Sequence, residues 1–360
     1  SKKSSENSRG FRGIGRLSAL SYCQRLTFTT SFKGEPIATK IAIDASKLSR
    51  VLADDSQEDV TMLDVLKSVY SVETVPEKED THYFSVQLDG VDDNSKLLSY
   101  ADVEDYLSQN APVPYSPDFI WGKEIVRRLN NEGFEIGAYN LSLEYGTKAV
   151  PIYKPYRDEF VVDKGKNLTD QLQDIVIIRI PNESEHLTAI GWLAKTNYMG
   201  SIYEKAIKGI RLRKGNILIG DHQTLNIVFK DARFNGWSVG EIFAIDKQLV
   251  PNARRDNFEK NPAYFSLFEH LTTIAASITK DIRAASLRRN SSLSSAINQL
   301  GIAAQEAQEA MSSGVSGAKK GQITKKLREA QAAVSTSEAN GDSEQYYQDI
   351  AFAELDMLIG

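Results

Sequence analysis

At 360 residues the chain is long enough for two or more domains with sizeable cores, and 41% apolar with 25% charged residues is an ordinary globular composition. A formal net charge of −5 excludes a globally basic nucleic-acid binder while leaving local basic strips open. The lone cysteine, Cys23, excludes an intrachain disulfide, and neither a bilayer-length apolar run nor a signal-peptide core is present, so no membrane partner and a cytoplasmic setting are expected. The chain opens in a polar run, Ser1-Lys-Lys-Ser-Ser-Glu-Asn-Ser8, without methionine, and is expected to begin inside a larger protein.

In chain order, Gly10-Phe-Arg-Gly13-Ile-Gly15 runs directly into Arg16-Leu-Ser-Ala-Leu-Ser-Tyr-Cys23, where Ile14, Leu17, Leu20 and Tyr22 or Cys23 recur near helical spacing. A glycine loop that opens a helix presents unpaired backbone N–H groups and the positive helix end, which suits an anion. Alone, Gly-x-x-Gly-x-Gly is more often a flexible turn before a surface helix than a phosphate loop. Residues 25–31 and 36–44 alternate about Lys33-Gly34-Glu35 and read as a hairpin. Residues 45–80 read as an insertion, with Met62, Leu63, Leu66, Val69 and Tyr70 on one helical face. The acidic run Glu77-Lys-Glu-Asp80 then leads into a strand at 82–88.

A short helix at 103–107 is stopped by Ala111-Pro-Val-Pro-Tyr-Ser-Pro117, and a second helix is expected at 121–129. Strands follow at 139–145, 149–153, 174–180 and 187–193, with a strand, turn and strand at 209–220. Arg211, Arg213 and Lys214 cluster there and read as a solvated strand face rather than a phosphate site. Trp192, Phe234 and Trp237 read as core rather than as a base-stacking platform. The four histidines show no metal spacing.

After a strand-like run at 240–246 comes Leu249-Val-Pro-Asn-Ala-Arg-Arg-Asp-Asn-Phe-Glu-Lys-Asn-Pro262. Two adjacent arginines beside an Asn and an Asp on a loop can form a fixed fork for phosphate, the alternative being a solvated surface loop. Leu267, Leu271, Ile274, Ile278 and Ile282 then mark a helix that continues loosely through Leu293, Ile297 and Leu300, a short seam expected to promote self-association.

Taken in this order, these stretches resemble the GHKL superfamily of gyrases, heat-shock chaperones, histidine kinases and MutL. Residues 10–28 can be laid without a gap on its ATP lid, where Gly-x-x-Gly-x-Gly precedes a helix with Ser-Ala and an Arg-x-Thr strand, here Arg25-Leu-Thr27. Residues 249–262 are similar to the middle-domain catalytic loop of the ninety-kDa heat-shock chaperones, with Asn252, Arg255, Asp256 and Asn261 on the family's positions. The resemblance implies an α+β chain: the C-terminal half of a Bergerat-type ATP-binding sandwich over 1–96, a βαβ transducer over 97–265, a helix over 266–300, and an Ala-, Gln- and Glu-rich helical tail, partly disordered, over 301–360.

It further implies ATP contacts at Gly10, Arg12, Gly13, Ile14 and Gly15, with Thr81 near the adenine, although Asp80 stands where the family has glycine. Arg255 is implied to reach the γ-phosphate, oriented by Asp256 on a loop shaped by Asn252, while Arg254 points to Glu259 or solvent. The family's adenine-reading Asp-x-Gly-x-Gly, its general-base Glu and its Mg²⁺-binding Asn have no counterpart here. ATP and Mg²⁺ use, ATPase activity and a homodimeric clamp are therefore expected of an intact protein rather than of this chain alone, and no metal ligand is expected in it. The partners implied are protein clients, as for the chaperones, which the acidic balance favours. The alternative is DNA, as for MutL, gyrase or MORC ATPases in repair or bacterial defence, toward which Arg16 and Leu17 lean by replacing the chaperones' aromatic pair. A non-catalytic dimerising scaffold is the third reading.

Overall fold

The computed structural model describes residues 17–53, 61–163, 168–182, 186–289, 292–312, 322 and 324–329. They form a mixed α+β chain with three sheets among the described residues, grouped into two units, 1–114 with 138–154 and 115–137 with 155–360. The first unit thus runs past the boundary expected at 96/97 and takes back a hairpin at 138–154.

In the first unit, β1 (Arg25–Ser31) and β2 (Ile37–Asp44) form the expected hairpin. The Asp44 carboxylate accepts from Lys47 N at 2.8 Å and so caps α1 (Ala45–Leu52), while Thr61 caps α2 (Met62–Val69) through Asp64 N. β3 (Tyr70–Pro76) pairs with β2 and β4 (Tyr83–Asp89) with β1, giving the antiparallel order β3-β2-β1-β4. Two expectations change here. The helix foreseen at 16–23 is a 3-10 turn at Ser18–Ser21 with Leu17 and Tyr22 exposed, since so short a segment cannot offset the cost of helix nucleation. Of the expected face α2 buries Val69, joined one turn earlier by Val65, and leaves Leu63 and Leu66 exposed, because Tyr70 already belongs to a strand.

One face of this sheet aligns Val72, Ile41, Phe28 and Val86 across all four strands, with Phe84 stacked on Phe28 at 6.0 Å. Val72 is 56% exposed and Phe84 64%, so the apolar face is uncovered by the described residues. α3 (Tyr100–Asn110), capped by Ser99, and the hairpin of β5 (Leu141–Tyr145) and β6 (Lys148–Ile152) complete the unit.

The second unit is built on six strands: β7 (Glu159–Asp163), β8 (Leu168–Pro181), β9 (Leu187–Thr196), β10 (Gly209–Lys214), β11 (Ile217–Ile219) and β12 (Val239–Ala244). Their order is β11-β10-β12-β9-β8-β7, antiparallel except for the parallel pair β10 and β12. The crossover between that pair runs through 3-10 segments at Thr224–Val228 and Ala232–Trp237, not through the α-helix of the expected βαβ unit. Both faces are covered, which is why the central strands read as nearly continuous apolar runs. α4 (Ile120–Asn131) lays Ile125 and Leu129 against Ile190, Trp192 and Phe243. α5 (Pro262–Arg289) lays Leu267, Leu271, Ile278 and Ile282, the predicted stripe, against Leu212 and Ile242. Trp192 and Phe234 are buried as expected, and Trp237 is partly buried against the same core. In α6 (Ser292–Ser312), Ala296, Leu300, Ala303 and Ala307 are buried at alternating spacings of four and three, and Glu306 meets Lys326 at 2.9 Å. Leu300 of the expected association seam is therefore already used within the chain.

The basic cluster on β10 overturns its sequence reading. Arg211 and Arg213 are 2% and 1% exposed, on the α4 side of the sheet, because Glu241 on neighbouring β12 offers Arg213 a buried carboxylate. Tyr115 Oη donates to the same carboxylate, and Trp192 Nε1 reaches Tyr115 Oη at 2.9 Å and Glu241 Oε2 at 3.2 Å. Arg211 donates to the carbonyls of Lys205 and Ala206. Burial opposes the charge on Arg213, but Glu241 and the two nearby tyrosines outweigh it and hold Arg213 above its ordinary pKa. Burial, unopposed to the same degree, lowers that of Arg211.

Burial also keeps tyrosines protonated. Tyr198 is pushed up to about 12, and Tyr115 and Tyr156 well above their ordinary value, in each case by burial first and a nearby carboxylate second. Because the unfolded tyrosine ionises near pH ~10, each contributes stability that is complete below that pH; that of Tyr198 is lost as pH rises through about 12, and those of Tyr115 and Tyr156 at still higher pH. A spectrophotometric titration is expected to show three of the 15 tyrosines ionising only with alkaline unfolding. Full reversible ionisation of all of them by pH ~10.5 would contradict their burial.

Candidate functional site

The arginine loop is a built hairpin. Where β12 ends, Ile245 N and Asp246 N both donate to Thr188 O, at 2.9 and 3.0 Å. Lys214 Nζ, next to Arg213 on β10, donates to Ile245 O at 3.2 Å and Asp246 O at 2.6 Å. Burial lowers the Lys214 pKa, with Asp246 opposing the shift. Leu249 and Phe258 are buried in the α5-side core and root the two arms. Between them Glu259 N donates to Val250 O at 2.8 Å, Pro251 bridges Phe258, and Asn252 N donates to Asn257 O at 2.9 Å. The tip is therefore 252–257, with Arg254 and Arg255 exposed on it.

Arg255 has φ 58°, in the left-handed region that costs a residue with a Cβ about 1–2 kcal/mol. It is held there from both sides: its N–H donates to Asn252 O at 3.1 Å, and its carbonyl accepts from Gly220 N at 2.8 Å. Gly220 is itself at φ 70°, and a Cβ there would stand 1.9 Å from Thr224 Oγ1 and 2.6 Å from Asp256 O, so only glycine lets the β11 end approach the tip. Asn252 Nδ2 donates to Asp256 Oδ1 at 2.6 Å, and Asn252 Oδ1 is a buried acceptor without a hydrogen-bond partner. Asn261 Nδ2 donates to Gln248 O at 2.7 Å while its Oδ1 accepts from Tyr264 N at 2.9 Å. One side chain thus ties the hairpin base to the first turn of α5, with Pro262 in the position where proline suits a helix start.

Asn252, Arg255 and Asp256 lie on the hairpin tip, and Asn261 lies at its base. Asp256 is engaged with Asn252, a latch across the tip that the sequence did not reveal. Gly10, Arg12, Gly13, Ile14 and Gly15 lie outside the described residues. Thr81 belongs to the first unit, where its hydroxyl donates to Lys78 O and its carbonyl accepts from Ser31 Oγ at 3.2 Å, closing the β3–β4 connection. Sequence reading put Lys214 on a solvated strand face, whereas it is bonded to the root of the hairpin, and it gave Gly220 no role.

A shallow concavity of about 590 Å³ in the first unit is lined by Tyr22, Cys23, Asp92 and Asp93 among others. Its acidic rim has the wrong sign for a polyphosphate, and burial followed by Asp89 pushes the Cys23 thiol up, away from a reactive thiolate. Among the described residues, no group of three or more His, Cys, Asp or Glu side chains could hold a metal ion, and no helix is long and apolar enough to cross a membrane. Compared with protein-family models and with curated proteins, the sequence matches none.

Proposed function

We propose that the chain is the lid-and-transducer part of an ATP-driven clamp of GHKL type, in which Arg255 is presented to the γ-phosphate. The observation that carries this reading is the backbone of Arg255. Glycine or asparagine would relieve its left-handed conformation, yet an exposed arginine occupies it, bonded at both its N–H and its carbonyl. Strain retained at an exposed tip argues for a use of the side chain rather than for stability. A planar guanidinium on such a support is suited to phosphoryl oxygens, two at a time.

On this reading catalysis is positioning and charge stabilisation of phosphoryl transfer from ATP to water. Arg255 would neutralise charge that develops on the transferred group, the Asn252–Asp256 latch would hold the tip, and Asn261 would fix its base. The glycine-rich segment at 10–15 would offer backbone N–H groups to the phosphates. The apolar face of the four-stranded sheet, uncovered by the described residues, supports a Bergerat-type sandwich, because such a face needs a second layer. The net charge of −5 favours protein clients over DNA as the target; strong, salt-dependent DNA binding would reverse that choice.

Titration calorimetry tests the reading. The general-base and adenine-reading residues have no counterpart in this sequence, so Mg-ATP is expected to give no saturable isotherm with this chain at concentrations on the order of micromolar, while the intact protein binds and hydrolyses it. A stoichiometric isotherm from this chain alone, or an intact protein indifferent to ATP, would overturn it.

A further inference from the structure

We infer that the buried cluster around Glu241 is a common anchor joining the passages of the chain between its two units to the arginine hairpin. The chain passes between the units at 114/115, 137/138 and 154/155. On the second-unit side of every passage, a residue is tied into the same cluster. After the first, Tyr115 Oη donates to Glu241 Oε2. Before the second, Gly137 O accepts from Asn216 Nδ2 at 3.0 Å. After the third, the Tyr156 ring packs edge-on against Trp192 at 5.2 Å and tilts against Tyr115 at 6.0 Å.

These ties share one pair of strands. Arg213 on β10 donates to Glu241 Oε1 on β12 and, through Nη1, to Asn216 O at 3.2 Å, so the Gly137 contact is held by the same guanidinium that holds the carboxylate. Lys214, the next residue, clamps the backbone at Ile245 and Asp246, where β12 leads into the hairpin. Glu241 lies in β12 only a few residues upstream of that clamp. The cluster and the root of the hairpin are thus neighbouring points on two hydrogen-bonded strands, and a displacement at one strains the other.

The chemistry fits an anchor better than a stability device. A buried ion pair contributes little net stability compared with apolar packing of the same volume, because each charge is desolvated. What it supplies is direction: Glu241 accepts from Arg213, Tyr115 and Trp192 in one arrangement, where an apolar core would tolerate sliding. The inference assumes nothing about nucleotide, so its failure and that of the proposed function are separable.

Hydrogen exchange with mass spectrometry on the whole chain tests it, using Tyr115→Phe, which removes one hydroxyl and keeps the ring against Phe119, and Glu241→Gln, which keeps shape and removes charge. Both are expected to speed exchange about tenfold or more, together, near the three passages and in residues 245–259, with residues 267–282 of α5 unchanged. Acceleration confined to the substituted strand and its neighbours would overturn the inference. So would acceleration at the passages with an unaltered hairpin, or a uniform rise that includes α5. If Glu241→Gln does not fold, Tyr115→Phe decides alone by the same criteria.

Discussion

Arg255→Ala is expected to lower ATP turnover of the intact protein about a thousandfold while changing nucleotide affinity only a few fold, the magnitude and pattern of a guanidinium that acts on the transferring phosphoryl group. The affinity is spared because the hairpin would arrive after nucleotide is bound. Arg255→Lys should recover only part of the rate, since an ammonium cannot reproduce the two-pronged contact. Arg255→Gly makes a sharper comparison. It removes the same guanidinium but relieves φ 58°, so it should be as slow as the alanine variant and no less stable. Arg254→Ala should change little, since it leaves the Arg255 guanidinium and the bonds that support it in place. Steady-state phosphate release with affinity measured separately checks all four. A crippled Arg254→Ala beside a normal Arg255→Ala would exchange the roles of the two arginines, and normal rates for both would remove the hairpin from catalysis.

The second large effect is on stability. Glu241→Ala is expected to cost about 3–5 kcal/mol in urea unfolding, because it leaves Arg213 buried without its carboxylate. Arg213 and Arg211 are 1% and 2% exposed, so neither can rehydrate without opening the α4 layer. Set against a typical stability of about 5–15 kcal/mol, such a loss is a large share. Replacing both partners, Arg213→Met with Glu241→Leu, should cost much less than the single change, since no charge is then stranded. A single variant that unfolds at the wild-type midpoint would mean that water reaches the cluster.

Much of the second unit was legible because its signals are local. The stripe from Leu267 to Ile282 has one period, and it became the buried face of α5. The loop expected at 249–262, between a strand-like run and a helical stripe, became a hairpin and a helix start, both of which are short-range devices. What misled was everything decided by a distant partner. Nothing near Arg211 and Arg213 announces that Glu241, on a strand parallel to theirs, would make burial tolerable. Val69 faces inward as expected, but its companion is Val65 rather than Leu63 and Leu66, because β3 begins at Tyr70 and an apolar run cannot say where helix gives way to strand. The left-handed backbone of Arg255 was invisible for the opposite reason: residue statistics argue against it, and Gly220, remote in sequence, helps to hold it.

The most direct test of the central claim is hydrogen exchange across residues 249–262 of the intact protein with a non-hydrolysable ATP analogue and, separately, with ADP. If Arg255 engages the γ-phosphate, the analogue should slow exchange at the hairpin tip, where Arg255 N and Gly220 N hold the turn, and ADP should not. Equal protection by both nucleotides, or none by either, would contradict the assignment of this hairpin to the γ-phosphate.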